Sequence, residues 1–167
     1  MLLGGHAYVR GDYAEARRLE QKASEIFIES GATPDWLGAT EWYLGFIDMA
    51  EQKVHDAARR FERSLESWLA IEERTHHFKP IIHLADVAAA VGDYETAATL
   101  AGCCDHLLEQ SGGVLFPFDA PASERVRQQC REALGEQRFA ELHHAARTLG
   151  PADWLQLAAD VVERTAP

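Results

Sequence analysis

The sequence feature that most constrains the fold is a short pattern that occurs three times. Each copy places a helix end and a turn before an Ala-rich amphipathic segment, and the copies cover residues 11–17, 52–59 and 92–98. A spacing of about 40 residues is typical of stacked helical hairpins, since each hairpin buries its apolar side against the next one. Such arrays usually bind other molecules. The pattern therefore predicts an all-α interaction module without enzymatic activity.

The three copies can be aligned residue by residue. The first helix of each hairpin, which we call the inner helix, carries a leucine followed by a small residue: Leu3-Gly4, Leu44-Gly45 and Leu84-Ala85. The turns that follow contain Gly11, Gln52 and Gly92. We align Ala16, Ala58 and Ala97 as the small residues at the closest helix crossing, which requires one extra turn residue in the middle copy. Leu19, Phe61 and Leu100 are expected in the core. The solvent side of the second helix is expected to carry Arg17, Glu20, Lys22 and Glu25.

The domain organisation follows from where this pattern stops. Over residues 1–110 the pattern predicts helical hairpins, of which the first is incomplete. Residues 111–122 contain two glycines and two prolines and predict a loop. Leu115, Phe116 and Phe118 are too apolar for a free linker, so we expect this loop to fold back onto the helices. Residues 123–167 predict a helical cap that belongs to the same domain and covers the last apolar face.

Charge and composition exclude several classes of function. The formal net charge is −11, and the only basic pairs, Arg17-Arg18 and Arg59-Arg60, are short and flanked by glutamates, so direct nucleic-acid binding is not expected. No apolar run approaches the roughly 20 residues that span a bilayer, and no signal peptide is recognisable. We therefore expect a cytoplasmic protein without membrane contact. The three cysteines are expected to be reduced and to fill tight helix contacts.

No motif predicts catalysis, a metal site or a cofactor. The histidine pairs at 76–77 and 143–144 are adjacent in sequence, so their rings diverge on a helix and cannot chelate one ion. His83 and Asp86 share one helix face but have no third ligand nearby in sequence. Ser64 and Ser67 lack a nucleophile-elbow motif. Glu62, Glu66, Glu72 and Glu73 are expected to form a solvated acidic face.

The candidate binding surface is the concave face, which the inner helices would line. The alignment places seven side chains there, which we predict to contact a protein or peptide partner: Tyr8, Trp42, Phe46, Met49, Lys79, His83 and Asp86. The alternative is that Trp42, Phe46 and Met49 belong to the hydrophobic core. Only Lys79 is suited to hold a peptide carboxylate, so this mode of binding is not favoured.

The repeat resembles tetratricopeptide repeats, in a variant with longer helices. Residues 84–110, the loop with Pro117, and the tail with Leu134-Gly135, Phe139 and residues 150–153 resemble the C-terminal regions of LuxR-type and AfsR-like bacterial ATPase regulators. The resemblance implies a right-handed superhelix of antiparallel helix pairs. It also implies a sensor or interaction module of a transcriptional regulator, whose partner could be an NTPase domain of the same protein.

Two further hypotheses remain open at this point. Leu2, Leu3 and Val9 would be exposed if no preceding helix covers them, which predicts a homodimer. A pocket between the loop at 111–122 and the inner helices could instead bind a small molecule.

Overall fold

The computed structural model describes residues 2–71 and 76–167, with Leu2 described by its backbone alone. Most of the described residues are helical, and no strand is found in these two ranges. This confirms the all-α prediction. The helices, in chain order, are α1 (Leu2–Val9), α2 (Tyr13–Glu29), α3 (Pro34–Ala50), α4 (Val54–Leu69), α5 (Phe78–Ala90), α6 (Tyr94–Ser111), α7 (Ala120–Leu134), α8 (Glu136–Ala145) and α9 (Pro151–Thr165).

Three helical hairpins, α1–α2, α3–α4 and α5–α6, share the same turn. Gly11, Gln52 and Gly92 all have positive φ angles, of 76°, 61° and 82°. The residue after each of them donates its N–H to the fifth residue before it: Asp12 to Ala7 at 3.0 Å, Lys53 to Asp48 at 2.8 Å and Asp93 to Ala88 at 2.9 Å. Glycine adopts this conformation without strain, whereas Gln52 adopts it at some conformational cost. The middle turn has therefore kept its geometry although its sequence has changed.

The identical turns correct the alignment of the middle copy. Because Gln52 is equivalent to Gly11 and Gly92, the residue five positions further on is Ala57, and no extra turn residue is present. Ala16, Ala57 and Ala97 are all fully buried. In this register Glu20, Phe61 and Ala101 are equivalent, and Leu19 corresponds to Arg60 and Leu100.

Close contact between the two helices of a hairpin explains the small residues of the inner helices. A Cβ atom added at Gly45 would lie 2.5 Å from Cε1 of Phe61, and one added at Gly4 would lie 2.1 Å from Oε1 of Glu20. Glu20 is thus fully buried beneath α1, and its predicted place on the solvent side was wrong. The alternation of polar residues along α2 was misleading because α1 covers this part of the helix.

The C-terminal helices do not simply extend the stack of hairpins. Helices α7 and α8 pack against α6, but α9 returns to pack against α4 in the second hairpin. The apolar loop is also shorter than predicted, since α6 continues to Ser111 and α7 begins at Ala120, with Pro121 in its first turn. Helix α8 ends at Ala145 and is followed by a short 3-10 turn, Ala146–Thr148.

The core lies between the second and third hairpins and α9. Its largest fully buried side chains include Phe61, Leu65 and Trp68. All three cysteines are buried and unpaired, as expected for residues that fill helix contacts. Glu72 and Glu73 of the predicted acidic face lie outside the described residues. Within the described ranges, no helix has the length and apolar character needed to cross a membrane.

Candidate binding cleft

A cleft of about 530 Å³ lies where the inner helices, the loop at 112–119 and α7 meet. We call it the inner cleft. Each inner helix contributes to its wall, while the loop supplies Pro117 and Phe118. The lining residues are Tyr8, Phe46, Met49, Ala50, Gln52, His83, Asp86, Ala90, Pro117, Phe118, Pro121, Ala122, Arg125 and Gln129.

Five of the seven predicted contact residues line this cleft: Tyr8, Phe46, Met49, His83 and Asp86. The repeat explains why they converge. Tyr8 and Met49 occupy equivalent positions of α1 and α3, and Phe46 and Asp86 occupy equivalent positions of α3 and α5. Equivalent positions of neighbouring inner helices point to one side of the array. Phe46 and Met49 are only partly buried, so they are available to the cleft as well as to the core.

His83 holds the loop against the inner helices. Its Nε2 lies 2.9 Å from Oδ1 of Asp119, the last loop residue, and both side chains are buried. The imidazole stacks on Phe61 with ring centroids 5.2 Å apart and meets the edge of Phe46 at 4.4 Å. The second oxygen of Asp119, Oδ2, has no hydrogen-bond partner among the described residues. This buried contact fixes the position of Phe118 over the cleft.

An ion pair forms the polar wall of the inner cleft. The guanidinium of Arg125 on α7 donates to both carboxylate oxygens of Asp86, at 3.0 and 2.6 Å. Such two-point pairing fixes the orientation of the guanidinium. Half of the Arg125 side chain is nevertheless exposed, so it can still bind a ligand. Burial raises the pKa of the nearby Tyr8, which keeps its hydroxyl neutral and able to donate at physiological pH.

The two remaining predicted residues, Trp42 and Lys79, lie beside the cleft and do not line it. Trp42 is buried in the hydrophobic core, which was the alternative prediction for this residue. Lys79 is also buried, and its ammonium lies over three aromatic rings, those of Trp42 at 5.0 Å, Trp68 at 5.4 Å and Phe116 at 4.4 Å. Burial lowers the pKa of Lys79. This aromatic cage binds the helix and the loop to each other through cation–π contacts.

The cleft residues that α7 and the loop contribute were not among those predicted from the repeat. Arg125, Gln129 and Phe118 lie outside the repeat, so the alignment that found the inner-helix positions could not include them. A usable signal was present in the apolar composition of the loop, which predicted contact with the helices. Leu115 does pack against the core, and Phe116 covers Lys79.

The cleft combines apolar and polar side chains. It offers aromatic and aliphatic surface, one oriented guanidinium and two amide side chains, Gln52 and Gln129. Within the described residues, no group of three His, Cys, Asp or Glu side chains is placed to hold a metal ion.

Comparisons with known proteins were negative at every level: no family model, no curated protein and no solved structure matches this chain.

Proposed function

We propose that this chain is a non-enzymatic binding module that holds a short segment of a partner protein in the inner cleft. The observation that carries the proposal is the convergence of repeat-equivalent side chains from three inner helices on one cleft. Pockets of about 300–1,000 Å³ with apolar walls and a few oriented polar groups are typical ligand sites. In line with the resemblance of the sequence, the module would serve a bacterial transcriptional regulator, and the segment could belong to that regulator's own NTPase domain.

The walls of the cleft indicate what the bound segment should contain. Phe46, Met49 and Phe118 provide a surface for one or two apolar side chains, and Arg125 provides a donor for a carboxylate. Asp86 already neutralises part of the charge of Arg125, so the acidic group would contribute more to specificity than to affinity. A long amphipathic helix is less suitable, because the loop and α7 close the cleft on two sides.

Selection of random displayed peptides on the immobilised chain would test this proposal. The affinity of a selected peptide is then measured by fluorescence anisotropy for the wild type and for Met49→Gln and Arg125→Gln. We expect at least tenfold weaker binding for Met49→Gln, since centrally buried contacts dominate the energy of such interfaces. Trp36→Ala is the matched control, because Trp36 is an exposed aromatic residue of the same helix, α3, and lies outside the cleft.

Two results would reject the proposal. One is that no peptide is enriched, and the other is that selected peptides bind the cleft variants and the control equally well. Thermal melting of each variant without peptide shows whether the fold is intact.

A second candidate function is the binding of a small molecule. It is favoured by the loop, since Pro117 and Phe118 cover one side of the cleft and Asp119 fixes them through His83. A thermal-shift screen with metabolites, compared with the peptides, distinguishes the two functions. A metabolite that stabilises the wild type but not Met49→Gln would support this candidate.

The homodimer hypothesis stays a prediction. Leu3 and Val9 are 70% and 66% exposed on α1, and the Leu2 side chain lies outside the described residues. Light scattering over a range of concentrations would test it, with Leu3→Ser expected to keep the chain monomeric.

A further inference from the structure

The middle hairpin differs from its neighbours in a way that the inner cleft does not explain. At three positions it carries a charge where the other two hairpins agree on a different residue. Asp48 replaces the fully buried Ala7 and Ala88, Lys53 replaces Asp12 and Asp93, and Arg60 replaces Leu19 and Leu100. Replacing a buried alanine by aspartate and a leucine by arginine destabilises a helical hairpin unless the new charges are paired or hydrogen-bonded.

These substitutions surround a second cleft, which we call the basic cleft. It has a volume of about 320 Å³ and is lined by Arg17, Asp48, Lys53, Asp56, Arg59, Arg60 and Arg63. Five of the sixteen lysines and arginines of the chain are therefore gathered in one place, although the net charge is −11. The lining also contains two carboxylates, Asp48 and Asp56, so the five cations leave a net positive charge that favours an anionic ligand.

The cations are held in position by carboxylates at the edge of the cleft. Glu41 accepts hydrogen bonds from Arg60 at 3.0 Å and from Arg63 at 3.2 Å. Glu51 accepts from Arg17 at 2.8 Å and from Lys53 at 2.6 Å. These pairs use only part of the donor capacity of each cation, since a guanidinium carries five N–H groups and an ammonium three.

Arg59 has no ion pair among the described residues. Its equivalent in the first hairpin, Arg18, donates twice to Glu15. Arg59 is therefore the cation of the basic cleft that is most available to a ligand.

Asp48 adds a second requirement on the ligand. Its side chain is only 3% exposed, and its Oδ1 accepts a hydrogen bond from Arg17 at 2.7 Å. Its Oδ2 accepts no hydrogen bond from the described residues, and Nε of Arg60 lies 3.6 Å away. A buried carboxylate oxygen without a donor is unfavourable. A ligand that carries a hydrogen-bond donor next to its negative charge would satisfy this oxygen.

The start of α4 points to the same type of ligand. Asp12 and Asp93 cap α2 and α6 by accepting the N–H of Glu15 and of Thr96. Lys53 at the equivalent position makes no such side-chain bond to α4. The first turn of α4 therefore keeps free N–H groups and a partial positive charge beside the cations.

We propose that the basic cleft binds a phosphate group of a small phosphomonoester or of free hydrogenphosphate. Planar guanidinium groups match the geometry of phosphate oxygens and bind them through charge-assisted hydrogen bonds. A singly protonated phosphate has one P–OH group, which can donate to Oδ2 of Asp48. Sulfate has no proton at neutral pH and leaves this oxygen unsatisfied. This site is independent of the inner cleft.

Thermal-shift and calorimetric titrations test the proposal at constant ionic strength and pH 6.5. Inorganic phosphate is expected to stabilise the full chain with a saturable dependence on concentration, and sodium sulfate is expected to bind at least tenfold more weakly. Glycerol 3-phosphate is titrated in parallel. Tighter binding of this ester than of phosphate identifies an organic phosphate as the ligand, and the reverse identifies free phosphate.

The repeat provides matched control variants. Arg59→Gln and Arg63→Gln should each weaken phosphate binding about tenfold or more. Arg18→Gln and Lys22→Gln remove a cation at the equivalent positions of the first hairpin, and they should leave binding unchanged. Arg59 and Arg63 are exposed or half-exposed, so loss of the fold is not expected, and melting without phosphate verifies this. The proposal would be overturned if phosphate did not bind saturably. It would also be overturned if both pairs of variants lost affinity for phosphate equally.

Discussion

Glu20 gives the most quantitative prediction, because a fully buried carboxyl group links stability to pH. Burial raises the pKa of Glu20 from 4.5 to about 7. Between these two values the unfolded chain has lost the proton while the folded chain still holds it. Stability therefore falls as the pH rises through this window, and the full penalty is present above pH 7. A shift of this size corresponds to about 3 kcal/mol at about 1.4 kcal/mol per pH unit.

The perturbation is Glu20→Gln, which keeps the shape of the side chain and removes its titration. The free energy of unfolding of wild type and variant is measured with guanidinium chloride at pH 5, 6, 7 and 8. We expect the two proteins to differ little at pH 5, and the variant to gain stability relative to the wild type up to about 3 kcal/mol at pH 8. The difference isolates the effect of Glu20, because wild type and variant share every other titratable side chain.

Glu25→Gln is the control on the same helix. Glu25 is exposed and pairs with Lys22 at the surface, so its replacement should change stability by less than about 0.5 kcal/mol at every pH. A difference between wild type and Glu20→Gln that does not vary with pH would refute the assignment of Glu20 as a buried carboxyl group with a raised pKa.

Two further predictions concern the packing of the helices. A Cβ atom at Gly102 would lie 2.4 Å from the backbone oxygen of His143, so Gly102→Ala should destabilise the chain by about 1–3 kcal/mol in the same unfolding assay. Gly5→Ala is the matched substitution, because a Cβ atom there would have ordinary contact distances, and it should stabilise the chain by up to about 1 kcal/mol. If Gly102→Ala were the more stable of the two variants, the close contact of α6 with α8 would be contradicted. Burial raises the pKa of the Cys103 thiol to about 12 and that of the Cys130 thiol to about 11, so at pH 8 neither is a reactive thiolate. Intact mass spectrometry should find no iodoacetamide adducts on the native chain and three after denaturation, whereas rapid labelling of the native chain would show that the thiols are accessible.

The hairpins could be predicted from the sequence because their turns have a local chemical signature. Gly11 and Gly92 end one helix, and the aspartate after each caps the next, so the turn and both helix boundaries are encoded in a few adjacent residues. The same register predicts that Tyr8, Phe46 and Met49 lie on one side of the inner helices, and all three line the inner cleft.

What could not be predicted depends on contacts between distant segments. The polar pattern of α2 does not reveal that α1 covers Glu20, and nothing near Lys79 in sequence indicates that Phe116 closes an aromatic cage over it. The return of α9 to α4 is likewise a tertiary contact without a local signal. Arg125 was missed for the same reason, since its partner Asp86 lies 39 residues away.

The methyl group of Met49 provides the most direct test of the central claim that the inner cleft is the binding site. The chain contains two methionines, Met1 and Met49, and Met49 lines the cleft. A spectrum of the chain labelled with ¹³C at the methionine methyl groups therefore reports on the cleft through one resonance, assigned by comparison with Met49→Gln. During titration with a selected peptide or metabolite, the Met49 resonance is predicted to shift with the same dissociation constant as calorimetry gives. A ligand that binds by calorimetry while the Met49 resonance stays unchanged would contradict the account.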